Sequence, residues 1–374
     1  MSVVIEASAC RTCFGDGDAT FLALLDGRSG IARLRYVDSG KVNVRCGFHA
    51  EPRTEEETFR ASRWLGECVA EALARSAVDP RRHRVRAIIA TGLRELRAVE
   101  RMALDSDAEF AADALHFGTV VRRAAPGIAD VLTISNACSA GGYALALAQD
   151  LLDAGEADAV VVGGTDSMTA SMLAMIGKVS ETPTTAVRPF DTDRTGVLLG
   201  EGAVVLVVVR ESLVGALARA RLLATGLSCD AARETALDHD GICRAMREAF
   251  ERGARDPSCV DLVVAHGTGT ALNDPAEATA LSEVFGAATP LVTALKGAVG
   301  HTSGGSALLS TEIAIRCMAA GMVPPVVGLR QALPEAAHLR LVAGRPVTAS
   351  VRTAQVNSFG FGGVNAVTLL EAVA

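Results

Sequence analysis

Residue types capable of nucleophilic or acid–base work fall in glycine-rich stretches of this sequence: Cys138 in NACSAGG, His266 in AHGTGTALNDPAEA, and Lys296 with His301 in LKGAVGHTSGG. Cys138 sits where an apolar run (131–134) gives way to an Ala/Leu-rich segment, so it is expected at a helix N-terminus. Unpaired backbone N–H groups and the positive end of the helix dipole would there favour a thiolate over a thiol with its ordinary pKa of ~8.5. Cys138 is thus a candidate nucleophile, against the plainer alternative of a small buried residue, as Cys229, Cys243, Cys259 and Cys317 are read. His266 and His301 each follow a short apolar strand, in turns whose glycines let backbone approach a ligand closely. Lys296 adds a cation five residues before His301. His49, His83, His116, His239 and His338 stand in charged or irregular surroundings and are read as structural or solvated. Cys10 and Cys13 form a C-x-x-C with no second pair and no histidine at ligand spacing. A zinc site needs about four ligands, so no metal is assigned.

The elements that must position these residues repeat in order. The first half reads as a strand at 87–91, a strand at 131–134 leading through Cys138 into a helix from Ser139 to about Leu152, and strands at 157–162 and 203–209. The second half reads as a strand at 262–265, a strand at 291–294 leading through Lys296 and His301 into a helix from about Ser303 to Ala319, and apolar segments at 347–356 and 364–370. Each helix keeps an apolar stripe, Ala140, Ala144, Leu147 and Leu151 in one and Leu308, Ile313 and Cys317 in the other. The strands lack polar alternation, which marks them as covered on both faces. The expectation is a duplicated α/β chain: two similar mixed sheets in an α-β-α-β-α sandwich, divided as 1–213 and 214–374, with the site where strand ends meet helix N-termini.

With 49% hydrophobic residues the chain can bury a large core, and with aromatics at only 4% and 36 glycines that core is built from Val, Ala and Leu. A formal net charge of −7 gives no electrostatic case for nucleic acid. The longest strongly apolar runs, such as 203–209, fall short of the ~20 residues of a membrane helix. No signal peptide is read at the N-terminus, and nine cysteines, an odd count, argue for reduced thiols. A cytoplasmic protein is expected.

Together with the closing NSFGFGGVN and with PFDTDRTGVLLGEGA at 189–203, these motifs resemble the elongating, Cys-His-His branch of the β-ketoacyl synthases, which have the thiolase fold. The resemblance covers essentially the whole chain in order. It implies that Cys138 takes an acyl group from a carrier-protein thioester, and that His266 and His301 promote decarboxylation of a malonyl-type thioester and stabilise the enolate. It implies further that Lys296 orients the histidines, and that the N–H groups of Cys138 and Phe361 form an oxyanion hole freed by Gly360 and Gly362. By the same resemblance Phe361 gates an acyl tunnel, and Thr268 and Thr270 bind the phosphopantetheine arm of an acyl carrier protein. No bound cofactor is implied, and the expected assembly is a homodimer or a heterodimer with a related chain.

The chain also departs from the family pattern. The stretch from Arg101 to Asp130 is short where the family places part of its acyl pocket, so the tunnel is expected to be lined by Met168, Met172 and Met175, whose unbranched side chains adapt to varied acyl groups. Ser310 stands where a glutamate usually supports the lysine, with Glu312 nearby. A helix from about Thr54 opens on Glu55, Glu56 and Glu57, leaving Arg60 and Arg63, or Arg122 and Arg123, to dock the carrier. The alternatives are an acyltransferase that passes the acyl group to an alcohol or amine, and a ketosynthase-like partner subunit of the chain-length-factor kind. The retained Cys138, His266, His301 and Lys296 weigh against the latter.

Overall fold

Valine-rich runs form the centre of the molecule: GAVVLVVVR (202–210) and AVVVGGTD (159–166) are buried almost from end to end, as strands covered by helices on both faces must be. The computed structural model describes residues 2–35, 37, 39–51, 57–104, 110–179, 183–214, 218–230 and 238–373. Its main sheet comprises β1 (Val3–Arg11), β2 (Val85–Ala90), β3 (Val131–Ile134), β4 (Ala159–Asp166), β5 (Gly202–Arg210), β6 (Ala220–Cys229), β7 (Leu262–Ala265), β8 (Leu291–Ala294), β9 (Arg340–Leu341), β10 (Thr353–Gly360) and β11 (Val364–Ala372). Five helices matter for the site: α1 (Arg60–Ala74), α2 (Ala140–Asp153), α3 (His239–Gly253), α4 (Asn273–Phe285) and α5 (Ser306–Ala320).

The strand order is β9-β8-β7-β10-β11-β6-β1-β5-β4-β2-β3. In the first half, β2 runs parallel to β3 and β4, β4 antiparallel to β5, and β5 antiparallel to β1. The second half repeats that pattern, with β7 parallel to β8 and β10, β10 antiparallel to β11, and β11 antiparallel to β6. The two expected sheets keep their layered order but are joined edge to edge into one eleven-stranded sheet. Arg221 and Ala220 at the start of β6 pair with Val4 and Ile5 on one side and with Glu371 and Ala372 on the other, joining the halves.

Three helix layers cover this sheet. α1 packs on β1, β4 and β5, whereas α3 packs on β6, β11 and α4. α2 and α5 lie between the halves, in an apolar cluster that includes Ile5, Ile88, Ala144, Leu206, Leu308, Ile313 and Val356. Small residues set that close packing: a Cβ on Gly142 of α2 would fall 2.4 Å from the Cβ of Ala366 on β11.

α1 starts at Arg60, not near Thr54, and residues 52–56, with Glu55 and Glu56, lie outside the described residues. Within the short stretch 101–130, residues 105–109 also lie outside them, and a helix at Gly118–Ala124 packs against α1. Among the described residues no helix is long and apolar enough to cross a membrane.

Candidate active site

The parallel strands β3, β7, β8 and β10 each deliver one part of a single site just past their C-terminal ends. Cys138 follows β3 in a 3-10 turn (Ala137–Ser139) that runs into α2. His266 is the first residue after β7, Lys296 the second after β8, and Phe361 the first after β10. The chain bends sharply to reach Cys138: Ala137 has φ 47°, a left-handed conformation uncommon for a residue with a Cβ. Ser303, at the matching turn before α5, has φ 46°. The same strained entry thus precedes the central helix of each half.

Strand β10 fixes the cysteine. Ser358 Oγ donates to the Cys138 carbonyl at 2.8 Å, and a Cβ on Gly360 would lie only 3.2 Å from Cys138 N, so glycine there permits the approach. The N–H groups of Phe361 and of Cys138 itself both point at the thiol. Phe361 is followed by Gly362 and Gly363 at φ 85° and 75°, and the residue is 46% exposed. The expected thiolate is corrected. Burial pushes the Cys138 thiol up to about 11, against the opposing pull of Lys296 and the two N–H groups and with the added repulsion of Asp166. One 3-10 turn with two donors does not outweigh the loss of water.

His266, His301 and Lys296 are all buried, and His266 contacts each of the other two. The two imidazoles meet edge to face with centroids 5.3 Å apart, and the His266 ring also packs on Phe359. Lys296 Nζ donates to His266 Nδ1 at 3.2 Å and to the His266 carbonyl. An ammonium on Nδ1 leaves the ring proton on Nε2, so His266 presents an N–H donor to the pocket. Burial, then Lys296, then His301 hold the His266 pKa well below 6.5, and burial followed by Lys296 does the same for His301. Both rings are neutral near pH 7. Neither nitrogen of His301 has a hydrogen-bond partner among the described residues. Lys296 is itself pushed down to about 8 by burial, offset in part by Glu277, Cys138 and Asp274.

Three carboxylates that the sequence reading gave no role hold this arrangement. Glu277 of α4 accepts from the N–H groups of His266 (2.7 Å) and Gly267 (2.8 Å) and from the amides of Asn273 and Asn357. Asp274 accepts from the N–H groups of Phe190, Thr268 and Gly269. Asp166, at the end of β4, accepts from Thr91 Oγ1 and the N–H groups of Gly92, Leu93 and Gly304, and burial raises it to about 6 despite those four donors. Carboxylates seven and ten residues after the His266-Gly267 turn are the sequence signal that could have marked Asp274 and Glu277.

Other predicted residues are placed less uniformly. Thr268 and Thr270 share a hydroxyl hydrogen bond of 2.8 Å on the loop after His266, and Thr268 also bonds Asp274. Met168 is buried beside Phe48 and Leu173 with Met172 at the edge of that cluster, whereas Met175 is 41% exposed and does not fit a tunnel wall within one chain. Ser310 is buried in α5, but Glu312 does not take over the support of Lys296, because its carboxylate pairs with Arg219 (3.2 Å) and Arg316 (2.7 Å). Arg60 is wholly buried against Glu201, and Arg63 is held by Glu51, Glu57 and Glu67, which corrects their expected availability to a carrier. Arg122 and Arg123 are exposed.

Comparison with known proteins bears on the family and the fold. Residues 1–214 match the family model of the β-ketoacyl synthase N-terminal domain, and residues 219–330 that of its C-terminal domain. The chain is 29% identical to 3-oxoacyl-[acyl-carrier-protein] synthase 2 of Mycobacterium tuberculosis over 97% of its own length and 95% of that protein's. It is 34% identical to nodulation protein E of Rhizobium meliloti over 65% of this chain and 62% of that one. Among solved structures, the ishigamide ketosynthase/chain length factor superposes with TM-score 0.89 at 28% identity, covering 100% of this chain and 99% of that one.

Proposed function

The chain belongs to the β-ketoacyl synthase family of acyltransferases, and from that membership we propose how its own residues perform the decarboxylative condensation of an acyl-enzyme with a malonyl-type thioester in fatty-acid or polyketide synthesis. Cys138 Sγ attacks the carbonyl of an acyl thioester, and the oxyanion that forms is held by the N–H groups of Cys138 and Phe361. The carrier thiolate leaves with the proton that the cysteine gives up. A malonyl-type thioester then enters beside the acyl-cysteine. As its carboxylate departs as carbon dioxide, charge develops on the thioester oxygen, where the Nε2–H of His266 and the unpartnered ring of His301 act as donors. The enolate carbon attacks the acyl carbonyl, the same N–H pair holds the second oxyanion, and the bond to Cys138 breaks to release a β-ketoacyl thioester. Lys296 keeps the tautomer of His266. The division of labour follows the duplication, with the nucleophile in 1–213 and the histidines and lysine in 214–374.

Both acyl groups arrive on the phosphopantetheine arm of an acyl carrier protein, as the name of the mycobacterial relative suggests. Thr268 and Thr270 line its approach, Arg122 and Arg123 offer the exposed cations for docking, and the Phe361 ring covers the acyl pocket. The working unit is a cytoplasmic dimer with a like or related chain. The reading rests above all on two neutral, buried imidazoles facing one another, one of them without a hydrogen-bond partner among the described residues, because a developing enolate needs such donors. His301→Ala should still acylate Cys138 while carbon dioxide release from a malonyl-carrier thioester falls by at least ~100-fold, the scale of one lost oxyanion donor. Full decarboxylation by that variant overturns the assignment, and so does acylation that survives Cys138→Ala.

A further inference from the structure

A second cluster of nucleophilic and titratable side chains lies outside the catalytic pocket, where α3 packs on α4. His239 and Cys243 are four residues apart at the start of α3 and so share one face of that helix. Glu283, in the last turn of α4, meets them. His239 Nε2 is 3.6 Å from Cys243 Sγ and 3.3 Å from Glu283 Oε2, and the three donor atoms all lie within 4.8 Å of one another. Around a tetrahedral zinc ion, bonds of ~2.3 Å to sulfur and ~2.05 Å to nitrogen and oxygen give ligand-to-ligand edges of about 3.5 Å for S–N and about 3.3 Å for N–O. The S–N and N–O separations match those two edges, and the S–O separation falls within 4.8 Å.

The remaining polar atoms are arranged to suit. His239 Nδ1 faces Asp240 Oδ1 at 3.1 Å, which places the ring proton on Nδ1 and turns the Nε2 lone pair inward. Glu283 Oε1 is taken by Arg247 at 2.5 Å, leaving Oε2 for the cluster. Cys243 is 1% exposed while the side chains of His239 and Glu283 are 30% and 46% exposed, so the fourth vertex opens to water. A surface ion pair accounts for His239 with Glu283, but not for a buried thiol at the third corner of a tetrahedron.

We propose that His239 Nε2, Cys243 Sγ and Glu283 Oε2 bind one zinc-like divalent cation, completed by a water, that ties α3 to α4. The sulfur in the donor set selects zinc over magnesium or calcium. Binding releases the Cys243 thiol proton to solvent and converts the S–H contact with His239 into two metal bonds. Because α4 also carries Asp274 and Glu277, the cation braces the helix that holds the His266 loop. The site departs from the absence of metal expected of the sequence, and the Cys10/Cys13 pair has no part in it.

Cobalt(II) chloride is the probe, added to a Cys138→Ala background that removes the active-site thiol. The expected result is one Co2+ per chain with a thiolate-to-metal charge-transfer band and tetrahedral d–d absorption. Cys243→Ser should abolish the charge-transfer band with unchanged far-UV circular dichroism. His239→Ala, at a more exposed position, should weaken Co2+ binding by at least ~100-fold, more than the loss of a supporting partner costs. A charge-transfer band that persists in Cys243→Ser, an affinity indifferent to His239→Ala, or no band at millimolar Co2+ overturns the proposal.

Discussion

At the scale of single residues, the active site is defined by what burial does to charge. A thiol raised to about 11 is protonated at pH 7, and the thiolate fraction grows about tenfold per pH unit until that value is reached. Alkylation of Cys138 by iodoacetamide, followed by peptide mapping, should therefore keep accelerating from pH 7 to pH 10. A rate that saturates near pH 8 would restore the pre-formed thiolate that the helix N-terminus suggests. Waiting as a thiol also spares the residue from oxidation between turnovers. Cys138, His266, Lys296 and His301 could be read from the sequence because each stands in a motif of glycines and small residues. Asp166, Asp274 and Glu277 could not, since their work is to accept hydrogen bonds from backbone that folding brings to them from as far as Gly304. The direction of the Cys138 shift was hidden for the same reason, because desolvation belongs to the assembled pocket and to no residue in particular.

At the scale of elements, the turn before α5 is held by a close backbone approach. Gly304 N donates to Asp166 at 2.7 Å, and a Cβ on Gly304 would lie 2.4 Å from the Cα and carbonyl carbon of Thr91. Backbone cannot swing aside as a side-chain tip can. Gly304→Ala should cost about 1–3 kcal/mol by overpacking, read as a lowered urea midpoint. Gly253, in the last turn of α3, supplies the contrast, because its added Cβ would make only ordinary contacts from 3.4 Å outward. Gly253→Ala should leave the midpoint unchanged or raise it by up to ~1 kcal/mol, since alanine is the better helix former. Equal effects of the two substitutions would show that close approach at Gly304 is not what limits stability. The strands at 131–134, 262–265 and 291–294 were legible to the residue, as short apolar runs closed by polar or glycine-rich loops. β6 was not read at all. Its sequence, ARLLATGLSC, contains a glycine that only the packing of α3 explains, since a Cβ on Gly226 would strike the Ala245 carbonyl at 2.1 Å.

At the scale of the whole molecule, the unread strand is the one that decides the architecture, because β6 and β1 fuse two similarly ordered halves into one sheet. Fusion there leaves the two outermost strands, β9 and β3, as the edges of that sheet. β9 has only two residues, which is one way in which proteins blunt an edge. β3 is longer and carries Leu132 at 49% exposure beside half-buried Val131, Thr133 and Ile134, an apolar edge that a monomer would offer to any passing strand. β2 is interior, paired on both sides. The partner chain of the proposed dimer is therefore expected against β3. The carbonyls of Asp130 and Ile134 accept from Ala87 and Thr91, so the alternating backbone groups of Val131 and Thr133 face outward. Thr133→Pro removes one outward donor without touching the ladder to β2, and proline is tolerated on an edge strand in that orientation. Light scattering at micromolar concentration should find the parent chain dimeric and Thr133→Pro largely monomeric, with circular dichroism unchanged. A parent chain that is monomeric, or a variant that dimerises as tightly as the parent, would place the assembly on another face and leave the exposed β3 edge without a partner.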